Sequence, residues 1–152
     1  MAPRDWKRIV FWALFLLCAG FFYFTNLGEA PLWQDEAETA ILARNTLKFG
    51  LPKSFDGINL VSQSQGTDYN AAYTWNYSPW LGIYAAAASF RLFGESTFSA
   101  RIPFTIAAIL SLLLIHRLAQ RWSGNRTVAD ITLWLTLLSA PYILHARQCR
   151  YT

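Results

Sequence analysis

The chain has 152 residues, of which 54% are hydrophobic and 16% aromatic but only 14% charged, well below the roughly 25% charged of a soluble domain. Its net charge of +4 is spread over the ends of apolar runs and not gathered in one patch, which excludes a nucleic-acid-binding domain. The two cysteines, Cys18 and Cys149, are far apart and lack CxxC or metal spacing, so they read as buried thiols and not as a disulfide framework.

Residues 9–28 carry no charge until the polar stretch begins, about the length a helix needs to cross a hydrocarbon core of roughly 30 Å. Arg4, Lys7 and Arg8 precede this run, so the positive-inside rule puts Met1 in the cytoplasm. No small-x-small cleavage site follows, and the segment reads as an uncleaved span.

Residues 25–77 are polar and hold six acids (Glu29, Asp35, Glu36, Glu38, Asp56, Asp68) against three bases. An acid-rich loop after a cytoplasmic N-terminus belongs outside. Within it, 35–49 reads as a helix with a weak, Ala-rich stripe of Ala37, Ala40, Ile41 and Leu47, stopped by Gly50 and Pro52. Residues 54–76, rich in Ser, Gln, Gly and Asn, read as a loop that orders on assembly. Ser78-Pro79 opens an apolar helix, 80–93, ended by Gly94.

Two further apolar runs follow, 102–115 and 128–146, the second interrupted by Asp130. If 80–93 spans the bilayer, Arg117, Arg121 and Arg126 fall outside. If it lies on the outer face, 102–118 is the second span, those arginines are cytoplasmic, and 128–146 is the third span. The second arrangement obeys the positive-inside rule and suits a helix of 14 residues. The expected architecture is therefore an all-α membrane protein: three transmembrane helices at about 9–28, 102–118 and 128–146, with juxtamembrane helices in an outer loop at 29–101. Three spans make a small bundle, and the chain reads as the N-terminal part of a larger polytopic protein.

Four residues could carry chemistry. Asp35 followed by Glu38 matches a capping box, and acids favour a helix N-terminus. The same carboxylates, Asp35 and Glu36, could act at the membrane surface as a general base and its support. Arg147 and Arg150, three apart, are either snorkelling anchors or a fork for a phosphate. His116 and His145 read as packing or interfacial residues. No His/Cys/acid cluster has zinc spacing, and there is no Walker motif, Gly-rich phosphate loop or GxSxG elbow. These residues fix no cofactor, and a divalent metal is left open but not indicated. Asn76-Tyr77-Ser78 and Asn125-Arg126-Thr127 match the glycosylation acceptor pattern by chance.

The order of short motifs resembles a known family. Trp33-x-Asp35-Glu36-Ala37 follows one span; Gly50-x-Pro52 ends a helix; Leu92-Phe93-Gly94-Glu95-Ser96 closes the Pro-led helix. Phe98-x-x-Arg101-x-Pro103 then opens a span, and Ala146-Arg147-x-x-Arg150-Tyr151 follows the last. This resembles the start of the GT-C superfamily of integral-membrane glycosyltransferases, family 39, which includes protein O-mannosyltransferase-like and aminoarabinose-transferase-like enzymes. The resemblance implies a mannosyltransferase-like enzyme of the bacterial inner membrane, with its active site on the outer face. It also implies a polyprenyl-phosphate sugar donor, a protein or lipid acceptor, membrane lipids around it and no nucleic acid. Asp35 would be the base for inverting attack, Glu36 its support, and Arg147 and Arg150 candidates for the donor phosphate. Thr39 stands where relatives often have Tyr, and Ser78-Pro79 where they have Pro-Pro or Lys-Pro, which bears on donor and acceptor identity. A non-enzymatic membrane subunit or a membrane-anchored binding protein is the alternative; acids lining the spans would favour the former.

Overall fold

A computed structural model describes residues 5–150. Arg4 of the basic N-terminus and Tyr151 of the closing motif lie outside the described residues. The described chain is helical: α1 (Asp5–Phe24), α2 (Gln34–Phe49), α3 (Trp80–Phe93), α4 (Thr97–Ser123), α5 (Arg126–Leu137) and α6 (Ala140–Ala146). α1 and α4 are long and apolar enough to cross a membrane, and the bent pair α5 and α6 would supply a third span. The chain is an integral membrane protein. The described chain divides into two units, residues 5–26 with 105–147, and residues 27–104 with 148–150.

In the first unit, Phe15, Ala19 and Tyr23 of α1 bury against Leu112 of α4 and Leu133 and Leu137 of α5. α1 stops at Phe24, four residues short of the expected end of the span, because Asn26 turns into the left-handed region (φ 56°). The apolar run 128–146 is two helices, not one: the axis bends by 64° at residues 138–139. Pro141 is the cause, since its ring cannot donate to the carbonyl of Leu137 four residues back and clashes with it in a continuous helix. The freed Leu137 carbonyl accepts from the Tyr23 hydroxyl at 3.0 Å. Asp130 is held between Arg8, 3.0 and 3.1 Å from its two oxygens, and Nε2 of His116 at 2.8 Å. His116 is thus a packing residue, as expected, set edge-on to Trp12, whereas His145 is exposed. Asn125 caps α5 by accepting from the Thr127 amide at 2.9 Å, so the Asn-Arg-Thr triplet is a helix start.

In the second unit, α2 and α3 pack through Leu42 and Ala43 against Ile83, Ala86, Ala87 and Phe90. Small alanines let the helices approach closely. α3 has the boundaries read from the sequence, and its 14 residues reach about 21 Å, short of a hydrocarbon core of about 30 Å. α2 buries a different face from the expected stripe. Glu36, Glu38, Thr39, Leu42, Ala43, Asn45 and Thr46 are inside, while Leu47 is 39% exposed. Polar side chains go inside because most find partners: Asn45 donates to the Lys53 carbonyl at 2.7 Å, and Thr39 and Thr46 bond back to carbonyls one turn earlier.

The loop 54–76 is ordered within the unit itself. Buried Asp68 accepts from the Ser62 hydroxyl and the amides of Gln63 and Ser64, and these bonds hold its carboxyl low despite burial. Asn70 closes a second turn by accepting from the amides of Ala72 and Thr74. Trp75 is fully buried, its indole N–H on Ser78 Oγ at 2.7 Å. α4 begins five residues before the apolar run and carries Pro103 inside it. The Ser99 carbonyl that Pro103 cannot serve accepts instead from Ser89 Oγ of α3 at 2.6 Å.

Candidate active site

The start of α2 is fixed by one buried ion pair. Glu36 is fully buried, and Oε1 accepts from Arg101 Nε at 2.8 Å while Oε2 accepts from Arg101 Nη2 at 2.6 Å. The remaining guanidinium hydrogens go to three carbonyls of the segment before α2: Leu27 at 2.8 Å, Ala30 at 3.0 Å and Pro31 at 3.2 Å. All five N–H donors of Arg101 therefore have acceptors, the condition under which a buried guanidinium is tolerated. Gly28 makes room for the same segment, since a Cβ there would stand 2.9 Å from the Cβ of Phe98.

Glu36 also serves two backbone amides. Oε1 accepts from the Cys149 N–H at 2.7 Å and Oε2 from the Trp33 N–H at 3.4 Å. Burial pushes the Glu36 carboxyl up, but the bonds from Arg101, Cys149 and Trp33 outweigh it and hold the group below its ordinary range. Cys149 is buried, and burial together with the Glu36 charge pushes its thiol up to about 12, Arg101 opposing, so it is an inert neutral thiol.

This geometry corrects the expected cap. Trp33 is the residue before the helix and Gln34 its first residue, so the acid that reaches back to the cap amide is Glu36, not Glu38. Asp35 is the second helical residue. Its side chain is 31% exposed and lies 3.6 Å from Arg150, whose guanidinium in turn stacks 5.1 Å over the Trp33 ring. The unit thus brings Asp35, Glu36 and Arg150 together, with Trp33 as the floor under the arginine.

Arg147 and Arg150 do not share a helical face, because α6 ends at Ala146. Within the first unit, Arg147 donates to the carbonyls of Phe22 at 3.2 Å and Thr25 at 2.7 Å, closing the C-terminal end of α1.

Glu38 is the residue whose character the sequence did not announce. It is 4% exposed, and neither of its carboxylate oxygens has a hydrogen-bond partner. Burial, seconded by the charges of Asp35 and Asp68 and offset in part by nearby Gln63, pushes its carboxyl up to about 7. Its one-turn spacing from Asp35 was a usable signal, but the cap pattern was the simpler account of it. Arg101 was visible as the arginine of the Phe-x-x-Arg-x-Pro motif, and nothing in its spacing linked it to Glu36. Among the described residues no three of His, Cys, Asp and Glu converge as metal ligands.

The chain is similar to undecaprenyl phosphate-alpha-4-amino-4-deoxy-L-arabinose arabinosyl transferases of Pseudomonas. It is 31% identical over 144 residues to those of Pseudomonas paraeruginosa and of one strain of Pseudomonas aeruginosa, covering 92% of this chain and 23% of each relative. With a second Pseudomonas aeruginosa strain it shares 30% over 143 residues, 91% of this chain and 23% of the relative. The chain therefore spans about a quarter of the length of the curated relatives it matches. No family model and no solved structure matches it.

Proposed function

We propose that this protein transfers a sugar from a polyprenyl-phosphate-linked donor to an acceptor hydroxyl, with Asp35 as general base. The observation that carries the reading is the build of the α2 start: a partly exposed carboxylate, Asp35, beside Arg150, on a helix end clamped by the buried Glu36–Arg101 pair. In the proposed step, the Asp35 carboxylate takes the proton of the acceptor hydroxyl as its oxygen bonds to the anomeric carbon. The bond from that carbon to the lipid phosphate breaks, the electron pair leaves with the phosphate, and the anomeric configuration inverts. Arg150 neutralises the departing phosphate, a task suited to a guanidinium that approaches oxygen pairs side-on. Glu36 takes no proton in this scheme; tied to four donors, it holds Asp35 in place. Arg147, engaged with the α1 carbonyls, is a candidate phosphate ligand only through exchange of those bonds.

The relatives' name supplies the donor class, a sugar on undecaprenyl phosphate. A donor delivered through the bilayer needs no nucleotide-binding loop. We place the reaction at the outer face of the bacterial inner membrane, on the strength of Arg4, Lys7 and Arg8 ahead of the first apolar run and the acid-rich segment after α1. Family 39 affiliation, mannosyltransferase-like specificity and a protein or lipid acceptor belong to the same proposal.

Asp35→Asn in the intact protein that carries this chain keeps the side chain's size and removes the base. Transfer from a polyprenyl-phosphate sugar should fall by at least about 100-fold, within the range of a lost general base, with membrane expression unchanged. Wild-type rates in that variant would reject the assignment.

A further inference from the structure

The first unit holds a second, unrelated feature at the end where α1 and α5 begin. A groove of ≈ 760 Å³ opens there between α1, α4 and α5. Its walls divide by chemistry. Leu110, Leu113 and Leu114 stand at i, i+3 and i+4 along α4 and form an apolar trough. One turn further on, Arg117 continues the same stripe, and Arg8 and Arg126 complete a basic rim.

The three arginines are not equivalent. Arg8 is spoken for: it pairs with Asp130 and stacks on the Phe11 and Trp12 rings at 4.7 and 5.1 Å. Arg117 and Arg126 are exposed, and among the described residues neither is ion-paired. Asp130, which could have neutralised them, is held by Arg8 and His116.

We infer that this groove binds an anionic phospholipid, its phosphate between Arg117 and Arg126 and an acyl chain along the leucine trough. Charge complementarity selects the occupant. Two unpaired guanidiniums over an apolar channel match a molecule with a negative head and a hydrocarbon tail, and basic recesses between spans are where such headgroups are held. A free anion would leave the leucines uncovered, and a zwitterionic lipid would place its own cation among the arginines. The inference does not rest on the sugar-transfer reading, because none of these residues enters it.

The test uses the intact protein that carries this chain, delipidated in neutral detergent and titrated with mixed micelles while the melting temperature is followed. Phosphatidylglycerol should raise the melting temperature, whereas phosphatidylethanolamine or inorganic phosphate at the same concentration should not. Arg117→Ala and Arg126→Ala should each weaken the apparent affinity for phosphatidylglycerol about fivefold, the worth of one basic residue near an anionic lipid. Arg121→Ala, which removes an exposed charge that does not line the groove, should leave it unchanged. An equal response to phosphatidylethanolamine or to inorganic phosphate overturns the proposal, as does an Arg121→Ala effect as large as that of Arg117→Ala. If either alanine variant fails to fold, Arg117→Gln and Arg126→Gln carry the same comparison, and wild-type affinity in both overturns it.

Discussion

Replacing Glu38 by Gln separates a titrating buried acid from an inert buried side chain. Burial raises the Glu38 carboxyl from an ordinary value near 4.5 to about 7. For an acid shifted upward in the folded state, the neutral form is the one the fold prefers. Its contribution is fully present below the unfolded value near 4.5 and is lost as pH rises through about 7. The raised carboxyl corresponds to about 3 kcal/mol between the two ends of that window. Part of this is already lost at pH 5, so about 2.5 kcal/mol remains to be lost by pH 8.5, and the melting temperature of the protein should fall by a few degrees over that range on this account alone. Glu38→Gln carries no proton to lose, so its melting curve should show a correspondingly flatter pH dependence, with the variant the more stable protein at pH 8.5. Thermal unfolding of both proteins across that range reads the difference directly. Parallel curves would show that Glu38 finds a cation or donor in the intact protein, and the reasoning from its missing partners would be wrong.

Other perturbations follow from the same contacts. Arg101→Ala strands the buried Glu36 charge and should cost about 3–5 kcal/mol, read as loss of folded protein after detergent extraction; Arg101→Lys, which cannot serve five acceptors, should recover only part. Ser89→Ala removes the donor to the Ser99 carbonyl left over by Pro103 and should cost about 1–3 kcal/mol in thermal unfolding. Asn125→Ala removes the α5 cap and should cost about 1 kcal/mol, whereas Asn125→Asp should be nearly silent. Arg150→Ala should raise KM for the lipid-linked donor while leaving the melting temperature nearly unchanged, since the Asp35–Arg150 pair is partly exposed and its attraction is screened; an unchanged KM would remove Arg150 from the donor site.

Much of the helix content was legible because it is written in local chemistry. The Pro79 and Gly94 punctuation gave α3 to the residue, and Gly50, left-handed at φ 77°, ended α2 where expected. The break inside 128–146 was legible in principle from Pro141, but the run's spanning length favoured one continuous helix. The site was legible only in part. Asp35 and Glu36 stood out as adjacent acids, yet their opposite environments, one half open to solvent and the other sealed by Arg101, depend on a partner 65 positions away. No local pattern encodes such a pairing. The buried face of α2 departs from the expected stripe for a related reason: Asn45 and Thr46 go inside because carbonyls await them, and hydrophobicity does not register a waiting acceptor.

The bond from the Cys149 amide to Glu36 spans 113 positions, and that separation orders events during synthesis. Arg101 can close on Glu36 as soon as α4 begins to emerge. The last donor arrives only after α5 and α6 have been made, roughly fifty residues and, at about 5–20 residues per second, some 2–10 s later. Through that interval the carboxylate lacks one of its four donors, and Arg150 has not yet reached Asp35. The start of α2 is therefore finished only by the last part of the second unit: a chain cut before Cys149 would lack both the fourth donor to Glu36 and the arginine beside Asp35.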